Sequence, residues 1–314
     1  MSSPPVPTIT PHGAGHRRPR WSVMIPTHQC AAYLGPCLES VLGQLGDTGF
    51  AADDLEIVVV DDCSDDAPEG VVDTIGGGLV RFVRNERNLG AIGNFNACLE
   101  AATGELVHLL HGDDLSAPGF YAAASQVFDD HPEVATFVAR TTYIDEHGVA
   151  AETTRSERTG SGIWDDALAV LAVSNRVRPP GVAVRRSALE AVGGFRTDLP
   201  HAADWEMWAR LAAYGLMWFE DRSLARYRRH SASDTAGRVL SGDNIAERLR
   251  CIDLIAGHVI AENRPPLVRR ARAYSALFAA RTALGLVRSG HLRGAANQAR
   301  AAALSLAAAV RSAS

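Results

Sequence analysis

The chain has 314 residues, of which 46% are hydrophobic and 21% charged, and these proportions are typical of a globular protein with a sizeable core. The formal net charge is −5, but nine arginines and no acidic residue follow Glu262, so an acidic body precedes a basic tail, which disfavours a general nucleic-acid binder. All 31 basic residues are arginine, which excludes Schiff-base catalysis by lysine and the lysine of a P-loop.

The cysteines and the first residues indicate the compartment. The five cysteines are odd in number and form no Cys-x-x-Cys pair, which argues against a zinc site and a disulfide framework. A reduced, cytoplasmic protein is therefore expected. Residues 1–20 lack the apolar core of a signal peptide and are predicted to be a disordered lead-in. No stretch reaches the ~18 uncharged apolar residues that a membrane span requires.

The first predicted strand, residues 21–25, stops at Pro26-Thr27-His28-Gln29. A helix follows, because Tyr33, Leu34, Leu38, Val41 and Leu42 recur at helical spacing. The turn between strand and helix lacks the glycines of a dinucleotide fingerprint, so the sequence does not favour a Rossmann dehydrogenase.

The second predicted strand, residues 55–60, runs into a series of acidic residues at 61–66. One interpretation is a solvated turn in which Ser64 or Asp65 caps the next helix. The other is that a carboxylate at the strand end accepts a hydrogen bond from a base or ribose. An edge-like strand at residues 79–83 follows, and then Asn88-Leu89-Gly90 opens a helix, either as a simple turn or close to a phosphate.

The stretch at residues 104–118 is the most informative in the chain. An apolar run, Leu106 to Leu110, ends in His111, Asp113 and Asp114. A buried parallel strand delivers such groups to the sheet edge where open α/β folds bind ligands. Two adjacent carboxylates indicate a metal that carries an anionic ligand, unless Asp114 or Ser116 simply caps the helix after Pro118.

Alternation of strands and helices predicts an α/β fold with a mostly parallel sheet. Residues 134–139 and 140–145 resemble further strand with a turn at His147-Gly148, and residues 150–163 are predicted to be a mobile loop. Later strand-like runs are expected at 217–220 and 224–230, the second ending in His230. Gly193-Gly194 is expected to stop a helix.

A second stretch rich in functional groups is Asp204-Trp205-Glu206 at the start of a predicted helix. Asp204 there is either a capping residue or a general base in a partly apolar cleft. After Gly242 the pattern changes to helices at 245–256, 267–287 and 292–310. These Ala-rich, Arg-bearing helices suit packing on the main domain or a second subunit, or resting on anionic lipid.

In this order and spacing the motifs between Trp21 and Ser233 resemble glycosyltransferase family 2. The segments that carry the resemblance are Ser22-Val23-Met24-Ile25-Pro26-Thr27, Ile57 to Asp66, Asn88-Leu89-Gly90, Gly104 to Asp114, Val192-Gly193-Gly194-Phe195, Asp204-Trp205-Glu206 and Tyr227-Arg228-Arg229-His230. The resemblance implies a GT-A type α/β fold with a mixed, mostly parallel sheet flanked by helices and a C-terminal helical appendage. The implied domains are a lead-in at 1–20, a catalytic domain at 21–240 and a helical region at 241–314.

The resemblance also implies roles for individual residues. Those matching the nucleotide-sugar pocket are Pro26, Thr27, His28, Asp62, Asn88, Gly90, His111, Asp113 and Asp114. Asp113 and His230 would hold Mg²⁺ or Mn²⁺, with Arg228 and Arg229 assisting at the leaving diphosphate. Asp204 would be the catalytic base, and Trp205 and Glu206, with the loop at 150–163, would lie on the acceptor side. His111 departs from the family's D-x-D motif, whose first position is Asp.

The implied function is an inverting transfer of a sugar from a nucleoside-diphosphate sugar, a UDP-sugar being favoured, to an acceptor hydroxyl. The acceptor is a glycan, a lipid-linked sugar or a small natural product, and a homodimer or peripheral contact with the inner membrane face would form through the C-terminal helices. The alternatives are a nucleotide-sugar nucleotidyltransferase and an inactive scaffold of the same fold. The transferase hypothesis predicts that Asp62, Asp113, Asp204 and His230 surround one cleft.

Overall fold

In the computed structural model, residues 5–11, 18–46, 54–230 and 239–311 are described. The chain divides into two compact units. The sheet unit comprises Met1–Asp165, Val177–Thr197 and Tyr214–Arg229, and the helical unit comprises Asp166–Arg176, Asp198–Ala213 and His230–Ser314. Neither unit is one continuous segment, and the predicted linear boundary at residue 240 stays a prediction.

Within the described residues, the sheet unit contains one sheet of ten strands. The strands are β1 (Trp21–Thr27), β2 (Leu55–Asp61), β3 (Val80–Arg84), β4 (Leu106–Leu109), β5 (Leu115–Ser116), β6 (Val134–Ile144), β7 (Ala150–Thr153), β8 (Gly162–Ile163), β9 (Val182–Arg185) and β10 (Leu216–Arg228). Its helices are α1 (Ala31–Leu42), α2 (Pro68–Ile75), α3 (Gly90–Ala101), α4 (Phe120–Asp130) and α6 (Arg186–Val192).

The strand order is β3-β2-β1-β4-β9-β6-β10-β5, with β7 on β6 and β8 on β10. Strands β3, β2, β1 and β4 are mutually parallel, as are β6 and β10. β9 is antiparallel to both its neighbours and joins these two parallel blocks. The predicted α/β fold with a mostly parallel sheet is therefore confirmed.

The core explains why the first strands form where they do. Every residue of β1 is buried, and β1 pairs with β2 on one side and with β4 on the other. The apolar face of α1, including Leu34 and Leu38, packs in the same hydrophobic cluster as Trp21 and Ile25. A helix of period 3.6 and a strand buried on both faces thus share one core.

The helical unit contains α5 (Ala167–Leu171), nearly all of α7 (Ala203–Tyr214), α8 (Asp243–Ala256), α9 (Arg264–Arg288) and α10 (Leu292–Arg311). The helices α8, α9 and α10 lie where the sequence predicted helices after Gly242. No described helix is both long and apolar enough to cross a bilayer.

Two local expectations differ from the structure. Residues 150–163, expected to be a loop, contain β7 and β8, each of which adds to an existing strand. The runs at 134–145 and at 217–230 are each one long strand rather than two, because β6 and β10 pair with each other past Arg140 and Ser223. Register shifts at these positions interrupt the alternation that sequence reading depends on.

Part of the predicted N-terminal lead-in is packed. Pro7 O accepts a hydrogen bond from Gly194 N at 2.7 Å, Thr10 O accepts one from Arg186 Nη2 at 3.0 Å, and Ile9 is buried. Gly193, at φ +85°, ends α6, and a Cβ there would lie 2.6 Å from Pro7 O. Glycine is therefore required at this contact, and the helix stop predicted at Gly193 is confirmed.

His108 is a buried polar group inside β4. Its Nε2 lies 3.1 Å from Pro180 O, which can only accept, so Nε2 carries the proton and Nδ1 accepts from the Tyr121 hydroxyl at 3.0 Å. Burial lowers the pKa of His108 to about 3.

The pKa of His108 predicts an acid-sensitive contribution to stability. Because the folded-state pKa lies below the unfolded value of about 6.5, this contribution is complete above pH 6.5 and declines as the pH falls below it. Between pH 7 and pH 5, the wild type should lose about 2 kcal/mol more unfolding free energy than His108→Gln. Urea denaturation of both proteins at the two pH values measures the difference, and parallel pH profiles would contradict it.

Candidate active site

The candidate site begins where β1, β2 and β4 end. These strands are parallel, so their carboxyl ends lie at one edge of the sheet, and backbone hydrogen bonds continue into the turns beyond them. Asp62 N donates to Thr27 O at 2.9 Å, and Gly112 N donates to Pro26 O at 3.1 Å. The structure thus brings the three predicted turns together.

Gly112 makes this approach close. A Cβ there would lie 3.0 Å from Cys30 Sγ and 3.3 Å from Thr27 Oγ1. Burial raises the pKa of the Cys30 thiol to about 11, so the thiol stays protonated at neutral pH and is a poor nucleophile.

Asp62 organises the second turn. Its buried Oδ1 accepts from Asn85 Nδ2 and from Leu89 N, each at 2.8 Å, and its carbonyl accepts from Asn88 Nδ2 at 3.2 Å. Asn88 Nδ2 also lies 3.4 Å from His28 Nε2. Four of the predicted pocket residues, His28, Asp62, Asn88 and Gly90, are therefore gathered at one place.

The neighbouring carboxylate, Asp61, stabilises the turn that follows β2. Asp61 accepts from Ser64 N at 3.1 Å and lies 3.5 Å from Arg84 Nη1. α2 begins later, at Pro68 after Ala67, without a side-chain cap, so neither Ser64 nor Asp65 caps it as one interpretation expected. Asp61 instead closes the turn and leaves Asp62 to face the next loop.

His111, Asp113 and Asp114 form a compact group. One ligand atom from each residue can be chosen so that all three lie within 4.8 Å of one another. Asp114 is buried, and its Oδ1 accepts from Arg228 N at 2.8 Å. Its buried Oδ2 has no hydrogen-bond partner among the described residues and lies 3.9 Å from His111 Nδ1. Burial, and then the charge of Asp113, raise the pKa of Asp114 well above its usual range.

This group fits a divalent cation. A buried carboxylate oxygen that lacks a donor, beside a second carboxylate and an imidazole, is stabilised by a bound positive charge. Oxygen ligands with one nitrogen suit Mg²⁺ or Mn²⁺. The capping alternative does not hold, since α4 begins at Phe120, after Gly119 and well beyond Asp114 and Ser116.

Arg228 holds the loops around this group. Its Nε donates to Asp113 O at 2.9 Å and its Nη1 donates to Asp145 O at 2.9 Å, while the guanidinium lies 4.7 Å from the centre of the Tyr33 ring. Arg229 Nη1 pairs with Glu152 at 2.9 Å. Both arginines therefore contact the loops around this group, and their predicted contact with a diphosphate stays a prediction.

Phe95 is a site residue that sequence reading missed. Its ring stacks on His111, with centroids 4.6 Å apart and planes at 17°, and Phe195 meets Phe95 edge-on at 5.7 Å. Asn96 holds Phe195 by accepting from its N at 2.7 Å and donating to its O at 2.9 Å. Nothing in the spacing of α3 links Phe95 to a residue 16 positions later.

In the helical unit, Asp204 lies in the first turn of α7. Its Oδ1 accepts from Trp205 N at 2.6 Å and its Oδ2 accepts from Asn175 Nδ2 at 2.9 Å. Asn175 was not predicted, because only the fold brings it to Asp204. The two bonds fix the orientation of the carboxylate.

Trp205 and Glu206 are both buried within the helical unit. Trp205 Nε1 donates to Leu171 O at 2.6 Å, and Glu206 pairs with the buried Arg210 at 2.8 Å. Both side chains pack inside the unit, and the predicted place of these residues on the acceptor side stays a prediction. His230, the second predicted metal ligand, belongs to this unit. The common cleft predicted for Asp62, Asp113, Asp204 and His230 stays a prediction.

Comparison with known proteins decides the family. The family model described as Glycosyl transferase family 2 matches residues 22–193, more than half of the chain, and includes β1 from its second residue and all of β2 to β9. The chain belongs to glycosyltransferase family 2. It is therefore a glycosyltransferase, as the motifs predicted.

This glycosyltransferase is 30% identical over 293 residues to an uncharacterized protein of Mycobacterium tuberculosis, covering 88% of this chain and 89% of that protein. Its fold is similar to TarS 1–349 of S. aureus in complex with UDP-GlcNAc, with a TM-score of 0.65, 18% identity, and coverage of 82% of this chain and 73% of that one. It is also similar to the mannosyltransferase PcManGT of Pyrobaculum calidifontis in complex with GDP-Man and Mn²⁺, with a TM-score of 0.54, 20% identity, and coverage of 96% and 90%. The predicted GT-A fold is confirmed.

Two substitutions of Asp62 in this glycosyltransferase distinguish its contribution to protein stability from its contribution to nucleotide binding. Asp62→Ala should destabilise the protein by about 2 kcal/mol, because the part-buried hydrogen bonds from Asn85 and Leu89 to this buried carboxylate are lost. Asp62→Asn keeps an acceptor oxygen and should stay near wild-type stability while binding a nucleotide about tenfold more weakly. Denaturation and calorimetric titration measure the two effects. Wild-type nucleotide affinity in Asp62→Asn would remove the binding role.

Proposed function

We propose that this glycosyltransferase moves a sugar from a nucleoside-diphosphate sugar to an acceptor hydroxyl with inversion at the anomeric carbon. The observation that carries the proposal is the His111–Asp113–Asp114 group, with a buried oxygen that lacks a donor, at the same sheet edge as the turns of Asp62 and Asn88. A cation and a polar nucleotide pocket side by side suit a diphosphate bearing a ribose and a base.

The donor pocket is formed by Pro26, Thr27, His28, Asp62, Asn88 and Gly90. Gly90 has φ +74°, and Asn88 Oδ1 accepts from its N at 2.9 Å, which holds the start of α3 in a fixed turn. A helix N-terminus there favours a negatively charged ligand. A UDP-sugar is the favoured donor, as in the structurally similar TarS complex.

Asp113, with His111 and Asp114, would hold Mg²⁺ or Mn²⁺, and His230 is a further candidate ligand from the family motif. When bound, such a cation neutralises the charge that develops on the departing nucleoside diphosphate. The similar mannosyltransferase structure contains Mn²⁺ with GDP-Man. In this chain Phe95 fixes the plane of the His111 ring, and Arg228 fixes the backbone of Asp113.

Asp204 is the general base of the proposed reaction. The acceptor oxygen forms the new bond to the anomeric carbon, its proton passes to an oxygen of Asp204, and the bond from that carbon to the diphosphate breaks. Asn175 and the backbone of Trp205 orient the carboxylate for this transfer. The acceptor is a glycan, a lipid-linked sugar or a small natural product, and the free cysteines support a reducing, cytoplasmic site of action.

A thermal-shift screen of nucleotide sugars with and without Mn²⁺ tests the donor and the metal together. Ligand binding to the folded state raises the melting temperature, and the increase should need both the metal and one class of nucleotide sugar. NMR of the product made with that donor then gives the anomeric configuration. The absence of any metal-dependent shift would refute the donor site, and a retained configuration would refute the single displacement.

A further inference from the structure

The C-terminal hairpin, formed by α9 and α10, has two unlike sides. The helices join at Ser289-Gly290 and run antiparallel, as shown by Arg272 Nη1 donating to Ala308 O at 3.1 Å and His291 N donating to Leu286 O at 2.8 Å. This pairing fixes which positions of each helix face the other.

One side of the hairpin is covered by α8 and the residues before it. Arg248 of α8 donates to Ser275 Oγ at 3.4 Å and its guanidinium lies 5.0 Å from the centre of the Phe278 ring. On α10, Asn297 Nδ2 donates to Leu240 O at 3.1 Å, and Gln298 Nε2 donates to Asn244 Oδ1 at 2.7 Å. These contacts account for the polar and aromatic residues on that side.

The other side, here called the outer face, is apolar and exposed. Helical spacing places Leu277, Leu284 and Val287 on the flank of α9 away from Ser275 and Phe278. The exposed members of the outer face are Ala273, Leu277, Ala280, Leu284 and Val287 on α9, and Leu292, Ala299, Ala303, Leu306 and Val310 on α10. Large apolar side chains that are exposed side by side on one face of a protein mark an interaction surface.

The charges around the outer face identify the kind of partner. No acidic residue follows Glu262, and seven arginines are exposed among the hairpin side chains that the structure describes. These are Arg264, Arg269, Arg270, Arg281, Arg288, Arg293 and Arg300. A second copy of the chain docked through the same face would bring arginine against arginine, which is unfavourable in a twofold interface. A partner with negatively charged groups at its surface and an apolar layer beneath them would match both the arginines and the apolar side chains of the outer face.

We propose that the outer face of the hairpin docks on an anionic lipid bilayer. The leucine and valine side chains would enter the boundary between headgroups and acyl chains, and the arginines would extend their alkyl stems along it to reach lipid phosphates. Both helices would lie in the plane of the membrane surface. The proposal stands independently of the sugar-transfer reaction.

Two leucines on α10 provide a matched pair for the test. Leu306 belongs to the outer face and is 56% exposed, while Leu304 is 55% exposed and points to the other flank, since residues two apart do not share a helix face. Glutamate at either position adds the same charge to the same helix without opening a core cavity.

Flotation of the full chain with phosphatidylcholine vesicles, alone or mixed with phosphatidylglycerol, measures docking. We expect binding to the mixed vesicles, weakening as salt is raised, and a loss of at least roughly tenfold in Leu306→Glu. Leu304→Glu should weaken binding by less than about fivefold, the effect of one unit of charge near the surface. Circular dichroism checks that both variants keep the wild-type helix content.

Equal losses in the two variants, or wild-type binding by Leu306→Glu, would overturn the assignment of the outer face. Failure of the wild type to bind mixed vesicles would overturn the lipid partner. Sedimentation velocity identifies the other occupant: a dimer that Leu306→Glu dissociates, without vesicle binding by the wild type, would show that a second copy covers this face.

Discussion

Replacement of Asp204 by asparagine should lower the rate of sugar transfer by roughly two to four orders of magnitude while leaving donor affinity unchanged. The substitution removes the proton acceptor but keeps the shape and an oxygen that accepts from Trp205 N. Asn175, whose amide now donates to Oδ2, can rotate to present its own oxygen instead. Turnover with donor and acceptor measures the rate, and calorimetric titration with the nucleotide sugar measures the affinity.

Asp243→Asn is the control for this prediction. Asp243 is an exposed carboxylate at the start of α8, in the same unit as Asp204, so its neutralisation should leave turnover at the wild-type rate. A fully active Asp204→Asn would remove the base from the proposed reaction, whereas a parallel loss of donor affinity would mean that Asp204 acts in donor binding.

Replacement of Asp113 by asparagine should weaken metal-dependent binding of a nucleoside diphosphate by about two orders of magnitude, or about 2.7 kcal/mol. The variant removes a charged oxygen from the His111–Asp113–Asp114 group but leaves the backbone carbonyl that accepts from Arg228. Titration with UDP in the presence and absence of Mn²⁺ measures the effect, and electron paramagnetic resonance of Mn²⁺ alone measures the metal affinity.

Glu152→Gln is the control variant for Asp113→Asn. Glu152 is an exposed carboxylate of the same unit, paired with Arg229 at 2.9 Å, and its loss should leave both affinities at wild-type values. UDP affinity that is indifferent to Mn²⁺ in the wild type as well as in Asp113→Asn would contradict the cation site.

The sequence was sufficient to predict the parallel strands and the groups at their ends. The apolar runs of β1, β2 and β4 are nearly continuous, which is typical of strands buried on both faces, and parallel strands place their carboxyl ends together. The apolar pattern of each strand and the parallel pairing of the strands therefore predict that Asp62 and Asp113 lie at the same edge of the sheet. The adjacent carboxylates of Asp113 and Asp114 follow one of these strands, so the sequence also predicted a cation site at this edge of the sheet.

Contacts between distant segments were not predictable from these patterns. β9 lies between β4 and β6 and forms hydrogen bonds with these strands, which are about 40 to 80 residues earlier in the chain. The hydrophobic pattern of β9 does not indicate which strands it pairs with. The stacking of Phe95 on His111 and the bond from Asn175 to Asp204 likewise depend on the completed fold. The hydrogen bonds of Trp205 to Leu171 and of Arg228 to Asp113 also join segments that no local pattern links.

The helical unit is built from separate segments of the chain, which limits the segments that can be deleted or exchanged with those of another protein. Glu247 of α8 accepts hydrogen bonds from the amides of His201 and Ala202 just before α7, and Arg248 stacks on Trp205 within it. Deletion of the C-terminal helices from Asp243 onward would thus remove the support from the helix that carries Asp204, although that helix already ends at Tyr214. Chimaeras with other family members should accordingly transplant residues 166–176 and 198–213 together with the C-terminal helices, as a single inherited block.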